Sequence, residues 1–359
     1  LYGATVTPQL TGGHACVAFC ADGKTYTIKN STIEGAYAVC SFANNATITI
    51  TGSKLTGTGN TLYHNGSNYG LKLTVKDTTI PSSGSCGVYI SGSTSAQSNA
   101  DNQNGAGKYQ QATFTGCTIS GALNGVEVKY TDLTLDGCAV STTAKDASYK
   151  QDNNGPAGSG FAVVSTDNAM NNVTPKPEGT IIIKGTGKYT GPVGLGSLKS
   201  VKETYADFAD ETIKISGGTF TTEIPAAYCA DGFIPTQNED GTYGVKVGQY
   251  VAEVGSTKYE TLADAVAAAQ DGQTVRLLAD AEQNSQLTIN KSITLDLNGK
   301  TIKNTVDIWG KDTNAILAIK NGAKVTITGN GTIDAKENDC YTINVVKGNL
   351  TIENGTFYG

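Results

Sequence analysis

The chain has 359 residues, 44 glycines, 8 prolines and a formal net charge of −6, with 16% charged and 38% hydrophobic residues. This is long for one ordinary globular domain and too apolar for a disordered one, and no run of about 18 apolar residues that could cross a membrane occurs. One arginine, Arg276, among 26 basic residues of an acidic chain leaves little of the arginine chemistry with which proteins grip nucleic acid.

Residues 1–45 read as an opening coil and a half. GHACVAFC from Gly13 and GAYAVCSF from Gly35 align at an offset of 22. A second element keeps the same step and then recurs along the chain. It runs apolar, polar, apolar, polar, Gly/Asn/Asp, any, any, apolar, as in LTLDGCAV at residues 133–140. Copies begin at Tyr26, Ile48, Leu73, Ala112, Ile213, Leu295 and Leu350, and copies with one extra residue begin at Ile181 and Val325. Alternation of period two marks a half-buried strand. The Gly/Asn/Asp slot marks a corner at positive φ, which these residues adopt at least cost. Strand, corner and short strand in recurrence are the signature of an all-β coil, a β-solenoid.

The first intervals between copies are 22, 25, 39, 21 and 48 residues, so the base coil is 21 to 25 residues and the longer steps hold insertions. Two of these, residues 91–110 and 141–159, are polar and rich in Gly and Asn; further loops follow at 167–179 and 198–210. Second strands lie between, at Cys86–Ile90, Asn124–Val128 and Gly160–Val164. Cys117 and Cys138 share one inward slot of consecutive copies, where a small residue fills a narrow core, and Cys16, Cys20 and Cys40 also read as inward. A disulfide between stacked neighbours is the lesser alternative. His14 and His64 read as packed residues, and no Cys or His spacing indicates a metal site or cofactor. The oxygen-rich segments Asn99–Gly105 and Asp152–Gly155 suit calcium or simple Asx turns equally, without the spacing of an EF-hand.

Residues 213–247 read as a closing unit, with a tight turn and strand around Asn238–Val247, as the open end of a solenoid requires. A new unit starts near Tyr250. Thr261 is the N-cap of an amphipathic helix over 261–271, with Leu262, Ala265, Val266 and Ala269 on one face and Gly272 as its stop. This short helix plugs a second solenoid, which the sequence leaves incomplete at Gly359. The domains are thus 1–248 and 249–359.

The stretches ISGGTF, YCADGF and DGTYGVKV, followed by residues 259–302 from Tyr259-Glu260-Thr261 onward, resemble the modular β-helix proteins displayed on the surface of gut Firmicutes. That resemblance implies a right-handed parallel β-helix of the pectate-lyase type, secretion and display on a bacterial cell surface, and an adhesin-like role. It carries over no catalytic residue.

A binding surface is expected where the repeat is interrupted, near residues 89–167. Tyr89, Glu127 and Lys129 should face outward on stacked second strands, with Tyr109, Tyr130 and Tyr149 beside them, giving half-polar aromatic contact for a host glycan or host protein. Asp132, Asp136 and Asp167 are the nearest approach to a carboxylate group, and read as corner residues. No catalytic residue, cofactor or metal is assigned. A polysaccharide lyase or glycoside hydrolase of the same fold is the alternative, and a structural module making end-to-end contact with another copy is a third.

Overall fold

The computed structural model describes residues 1–7, 15–91, 110–150, 155–166, 179–196, 213–310, 313–335 and 340–359. The chain divides into two compact units, Leu1–Val247 and Gly248–Gly359. Both are built from parallel strands stacked coil upon coil as a β-solenoid.

In the first unit each coil contributes one strand to each of three sheets. Sheet I holds Thr25–Lys29, Thr47–Thr51, Lys72–Lys76, Gln110–Thr115, Thr131–Asp136, Ile181–Lys184 and Ile213–Ile215. Sheet II begins with Thr5–Val6 and continues through Thr32–Gly35, Lys54–Gly57, Thr79–Pro81, Thr118–Gly121, Ala139–Thr142, Lys188–Thr190 and Thr219–Phe220. Sheet III holds Ala15–Phe19, Tyr37–Ser41, Leu62–His64, Val88–Ile90, Val126–Val128, Val163–Thr166 and Val193–Gly196. The recurring eight-residue pattern is therefore a sheet I strand, a corner and a sheet II strand.

Alternation sorts sheet I into two faces. Ile48, Leu73, Ala112, Leu133, Ile181 and Ile213 stand in register and face the core, while Thr27, Thr49, Thr74, Thr113 and Thr134 stand in the neighbouring outward column. β-branched side chains suit both faces of such a pleat.

The corner slot has the predicted positive φ at Asn30, Gly52, Asp77, Gly116, Gly137 and Gly185. In the copy from Ile213 the positive φ falls one residue later, at Gly218. Behind the corner lies the slot shared by Cys117 and Cys138. It is buried, and it is polar in function. Ser31, Ser53, Thr78, Cys117 and Cys138 occupy it in successive coils, and each hydroxyl or thiol donates to the carbonyl two residues back, at 2.8, 2.9, 2.8, 3.4 and 3.6 Å. The same oxygens accept the backbone N–H of the coil before: Ala4 to Ser31, Ser31 to Ser53 and Ser53 to Thr78. The slot is a hydrogen-bonded rung rather than mere apolar filling. All eight cysteines are free thiols. Cys40 departs from the inward expectation: it stands in the outward column of sheet III beside Tyr63, and Cys20 is exposed.

The unit closes as its sequence suggests. A 3-10 turn at Ala226–Tyr228 leads to an antiparallel hairpin, Phe233–Gln237 with Tyr243–Val247, whose second strand pairs with Thr219–Phe220. The ladder of sheet II thus ends in antiparallel strands.

The second unit opens with the hairpin Ala252–Val254 and Thr257–Tyr259, followed by the one α-helix among the described residues, Leu262–Ala268. Thr261 caps it, accepting the Asp264 N–H at 3.1 Å. The helix stops earlier than the glycine signal implies. Ala269, fully buried, is already extended, and Gly272 takes its positive φ in the turn beyond. Lys291 binds the orphan carbonyls of Ala267 and Ala269 at 2.9 and 2.6 Å, doing the work expected of a glycine cap. Arg276 is structural, bridging Asp296 at 3.4 Å and Asn298 at 3.0 Å on the outer face of its sheet. Three parallel ladders follow, closing the same kind of core.

Ile119 is fully buried, stacked between Ile80 and Val140 in sheet II. Ile119→Asp should lower the unfolding free energy by about 4 kcal/mol or more, through an unpaired buried charge. Urea denaturation measures this, and an unchanged midpoint would contradict the inward assignment.

Candidate functional site

Sheet III is the face that the long insertions border. Its outward column runs Cys40, Tyr63, Tyr89, Glu127, Val164 and Gly194 in strict register. Because neighbouring strands lie about 4.8 Å apart, aromatic side chains in such a column meet face to face. Tyr63 and Tyr89 stack with centroids 5.8 Å apart and planes 5° from parallel. Tyr37 and Phe42 adjoin Tyr63 at 5.8 and 6.0 Å, tilted by 43° and 78°.

The expected open surface at Tyr89, Glu127 and Lys129 is corrected by their burial: they are 2%, 0% and 2% exposed. All three do face outward, but the insertion between sheets II and III folds back over them. Within it Ser148–Tyr149 pairs antiparallel with Gly158–Ser159, making a strap whose inner arm lies on sheet III. Glu127 clasps that arm. Its carboxylate accepts the N–H of Ala157 at 2.7 Å and of Gly158 at 3.1 Å, the Thr166 hydroxyl at 3.0 Å and the Asn124 amide at 2.8 Å. Asn124 also donates to Gly158 O at 2.6 Å and accepts from Phe161 N at 3.0 Å. The Tyr89 hydroxyl and the Lys129 ammonium both donate to Gly155 O, at 2.9 and 3.0 Å, and the ammonium sits 5.7 Å from the Tyr89 ring centre. Gly158 fits this seat closely: a Cβ there would lie 3.0 Å from a Val164 methyl, 3.3 Å from Asn124 Nδ2 and 3.4 Å from Glu127 Oε2.

The electrostatics follow from that covering. Burial raises the Glu127 carboxyl above its ordinary pKa, and the Lys129 charge and the strap N–H groups pull it partly back. Burial also raises the Tyr89 phenol, with the Glu127 charge adding to it. Tyr149 is half-buried in the strap, its ring against Gly196. Tyr130 holds the corner into sheet I at φ 49°, half-buried. Asp132 accepts from the Thr180 N–H and hydroxyl, each at 3.0 Å, and Asp136 pairs with Lys184 at 3.4 Å. Tyr109, Asp167, His14, Asn99–Gly105 and residues 152–154 lie outside the described residues. Among the described residues no cluster of three or more His, Cys, Asp and Glu could hold a metal.

The structure thus joins Tyr89, Glu127 and Lys129 into one cluster, with Tyr149 in the strap above. Sequence reasoning missed three of its members: Asn124, Thr166 and the strap backbone at 155–158. It also missed Tyr63. The step of 26 residues from Tyr63 to Tyr89, close to one coil, was the available signal.

Behind the Tyr63 strand, His64 points into the core between Ser41 and Ile90. Neither ring nitrogen, nor the Ser41 hydroxyl, has a hydrogen-bond partner. Burial lowers the His64 pKa to about 4, the Asn68 backbone opposing only in part.

Two outcomes are expected. Glu127→Ala strands the Lys129 charge and four donors, and should cost about 3–5 kcal/mol; amide exchange at Ala157 and Gly158 should accelerate in step. Slow exchange retained there would mean the strap is held by something else. His64 is neutral when folded and protonates near 6.5 when unfolded, so its contribution is complete above pH 6.5 and is lost as pH falls toward 4, by roughly 3 kcal/mol. Glu127, with a raised pKa, works in the opposite sense, so the test is differential: His64→Leu should flatten the parent's stability loss between pH 6.5 and 4. Parallel pH curves for the two proteins would rule this out.

No protein-family model, curated protein or solved structure matches the chain.

Proposed function

We propose that this chain is a non-catalytic module of a bacterial cell surface, a right-handed parallel β-helix that binds a host or glycan ligand in an adhesin-like manner. The observation carrying this reading is the aromatic strip on sheet III. Phe42, 39% exposed, with half-buried Tyr37 and Tyr63, forms the part of the strip outside the strap contacts of Tyr89, and the insertions are concentrated at the ends of the same sheet. Tyrosine and phenylalanine on a rigid strand offer flat apolar contact with a polar tip, at small entropic cost. The ligand surface is therefore Tyr37, Phe42 and Tyr63 with the outer arm of the strap at 143–150; Tyr89, Glu127 and Lys129 support it from beneath.

The non-catalytic half of the proposal rests on how the carboxylates are used. Glycoside hydrolysis needs two carboxyl groups facing one bond across a cleft. Both Glu127 oxygens are bonded by the strap, Asp132 Oδ1 accepts from Thr180, and Asp136 pairs with Lys184.

A glycan and host-protein array tests this directly. The parent should bind a defined set of ligands, and Tyr63→Ala or Phe42→Ala should weaken that binding about tenfold, the loss of one good aromatic contact. Variants that bind like the parent would remove the strip from the interface, and release of unsaturated or reducing-end products from a bound polysaccharide would favour the enzyme.

A further inference from the structure

Two of the eight cysteines stand opposite one another in the first unit. Cys117 and Cys138 immediately precede the paired strands Thr118–Gly121 and Ala139–Thr142, whose register sets Thr118 against Ala139. The Ala139 N–H donates to Cys117 O at 2.8 Å, so the register extends one residue earlier. Both side chains are buried in the inward slot behind the corner.

The rung aims one sulfur at the other. In the earlier coils the slot side chain reaches back to the slot residue before it. Ser53 Oγ accepts the Ser31 N–H at 3.1 Å, and Thr78 Oγ1 accepts the Ser53 N–H at 3.3 Å. Cys138 reaches back likewise, its Sγ lying 3.4 Å from Phe114 O in the coil of Cys117. Cys117 Sγ in turn lies 3.5 Å from Val75 O, one coil further back. Neighbouring strands run about 4.8 Å apart. That spacing falls inside the roughly 4.4 to 6.8 Å between α-carbons that a disulfide spans.

The two thiols act on each other unequally. The Cys117 thiol, together with the Cys117 N–H, lowers the Cys138 pKa, while the Cys138 sulfur and burial raise that of Cys117. Cys117 therefore holds its proton, and Cys138 has the thiolate character that disulfide exchange needs. Cys40 is buried without such a neighbour. It lies opposite Ala18 and Tyr63, and its thiol is pushed up to about 12, chiefly by burial.

We infer that Cys117 and Cys138 are a cross-linking site, which a small disulfide oxidant such as oxidised glutathione closes into a disulfide between adjacent coils. The Cys138 thiolate attacks one sulfur of the oxidant and expels the other as a thiolate, leaving a mixed disulfide on Cys138. Cys117 then loses its proton and attacks the Cys138 sulfur, expelling the second thiolate. The cysteine pair gives up two protons and two electrons, and the oxidant is reduced to two thiols. The link encloses residues 118–137, one whole coil, and with it Asn124, Glu127 and Lys129, which hold the strap. Because the finished coils bury both sulfurs, closure belongs to the winding of the chain, and the bond once made is shielded from reductant.

Oxidative refolding of the full chain tests this. The reduced, unfolded protein is refolded in a mixture of reduced and oxidised glutathione, alkylated in denaturant and digested with trypsin. Cleavage after Lys108, Lys129 and Lys145 puts the two cysteines on separate peptides, 109–129 and 130–145. Closure should join these into one species, lighter than their sum by two hydrogen atoms and split by reduction. Cys117→Ser and Cys138→Ser should each abolish that species and still fold, because Ser31 and Ser53 fill the same slot in other coils. The urea midpoint of the oxidised parent should exceed that of the reduced parent, since the link restricts the unfolded chain. Each serine variant should unfold at one midpoint in both states, and Cys229→Ser should behave as the parent does. Both peptides recovered alkylated and unjoined, either cysteine joined to a different one, or the parent's midpoint shift kept in both serine variants would overturn the proposal.

Discussion

The corner between sheets I and II is the constraint on which the rest of the first unit depends. A strand can turn into its neighbour within two residues only if one enters the left-handed region and the next buries a group that satisfies the backbone behind it. Asn30 with Ser31, Gly52 with Ser53, Asp77 with Thr78, Gly116 with Cys117 and Gly137 with Cys138 do this in five successive coils. A buried N–H without a partner costs about 1–3 kcal/mol, and without the rung oxygens the N–H groups of Ala4, Ser31 and Ser53 would lose their acceptors. The hydroxyl and thiol rungs remove that cost and tie each coil to the next.

A rigid corner also explains where variation is allowed. These five corners have no room for an insertion, and none occurs in them. The long excursions all border sheet III: those after Ile90, Thr166 and Gly196 lead from sheet III to sheet I, and the one after Thr142 leads from sheet II to sheet III. Loops gathered at one sheet can cover it, and the strap does so by main-chain contacts to Glu127, Lys129 and Tyr89. Its inner arm is made largely of small residues, Gly155 to Gly160, so side-chain packing alone could not seat it. The buried carboxylate and ammonium supply the affinity and are compensated by the same backbone groups they hold. Buried charged groups are a weak source of net stability, and removing one leaves its partners uncompensated.

Sheet III therefore has two regions with different uses. Toward the strap its outward column is an internal polar core, and on the earlier coils it is a half-open aromatic surface. The second unit repeats the coil with a different device at its start, a helix whose end is capped by Lys291 from the following coil. The connection after Thr301–Asn304 carries two successive Asx turns, at Asn304 and Asp307, and holds Trp309 56% exposed.

Much of the fold was legible in the sequence because it is periodic. The coil length, the strand alternation, the position of the corner and its positive φ all follow from residues within eight positions of one another, where backbone geometry and side-chain type act directly. The Thr261 cap and the closing hairpin were legible for the same reason. Individual columns were not. Cys117 reads as a small apolar residue until Ser53 and Thr78 are seen in its slot, and Gly272 reads as a helix stop until Lys291 is seen to supply one. Tyr89, Glu127 and Lys129 were correctly placed outward and wrongly taken as free. The sequence by itself determined which residues of the recurring sheet I strands point in and which point out, since alternation is a local property, whereas Cys40 in sheet III fell on the other face. Only the tertiary structure decided which outward residues meet solvent, because that rests on Glu127 gripping backbone 30 and 31 residues away, and an insertion's landing place leaves no periodic trace.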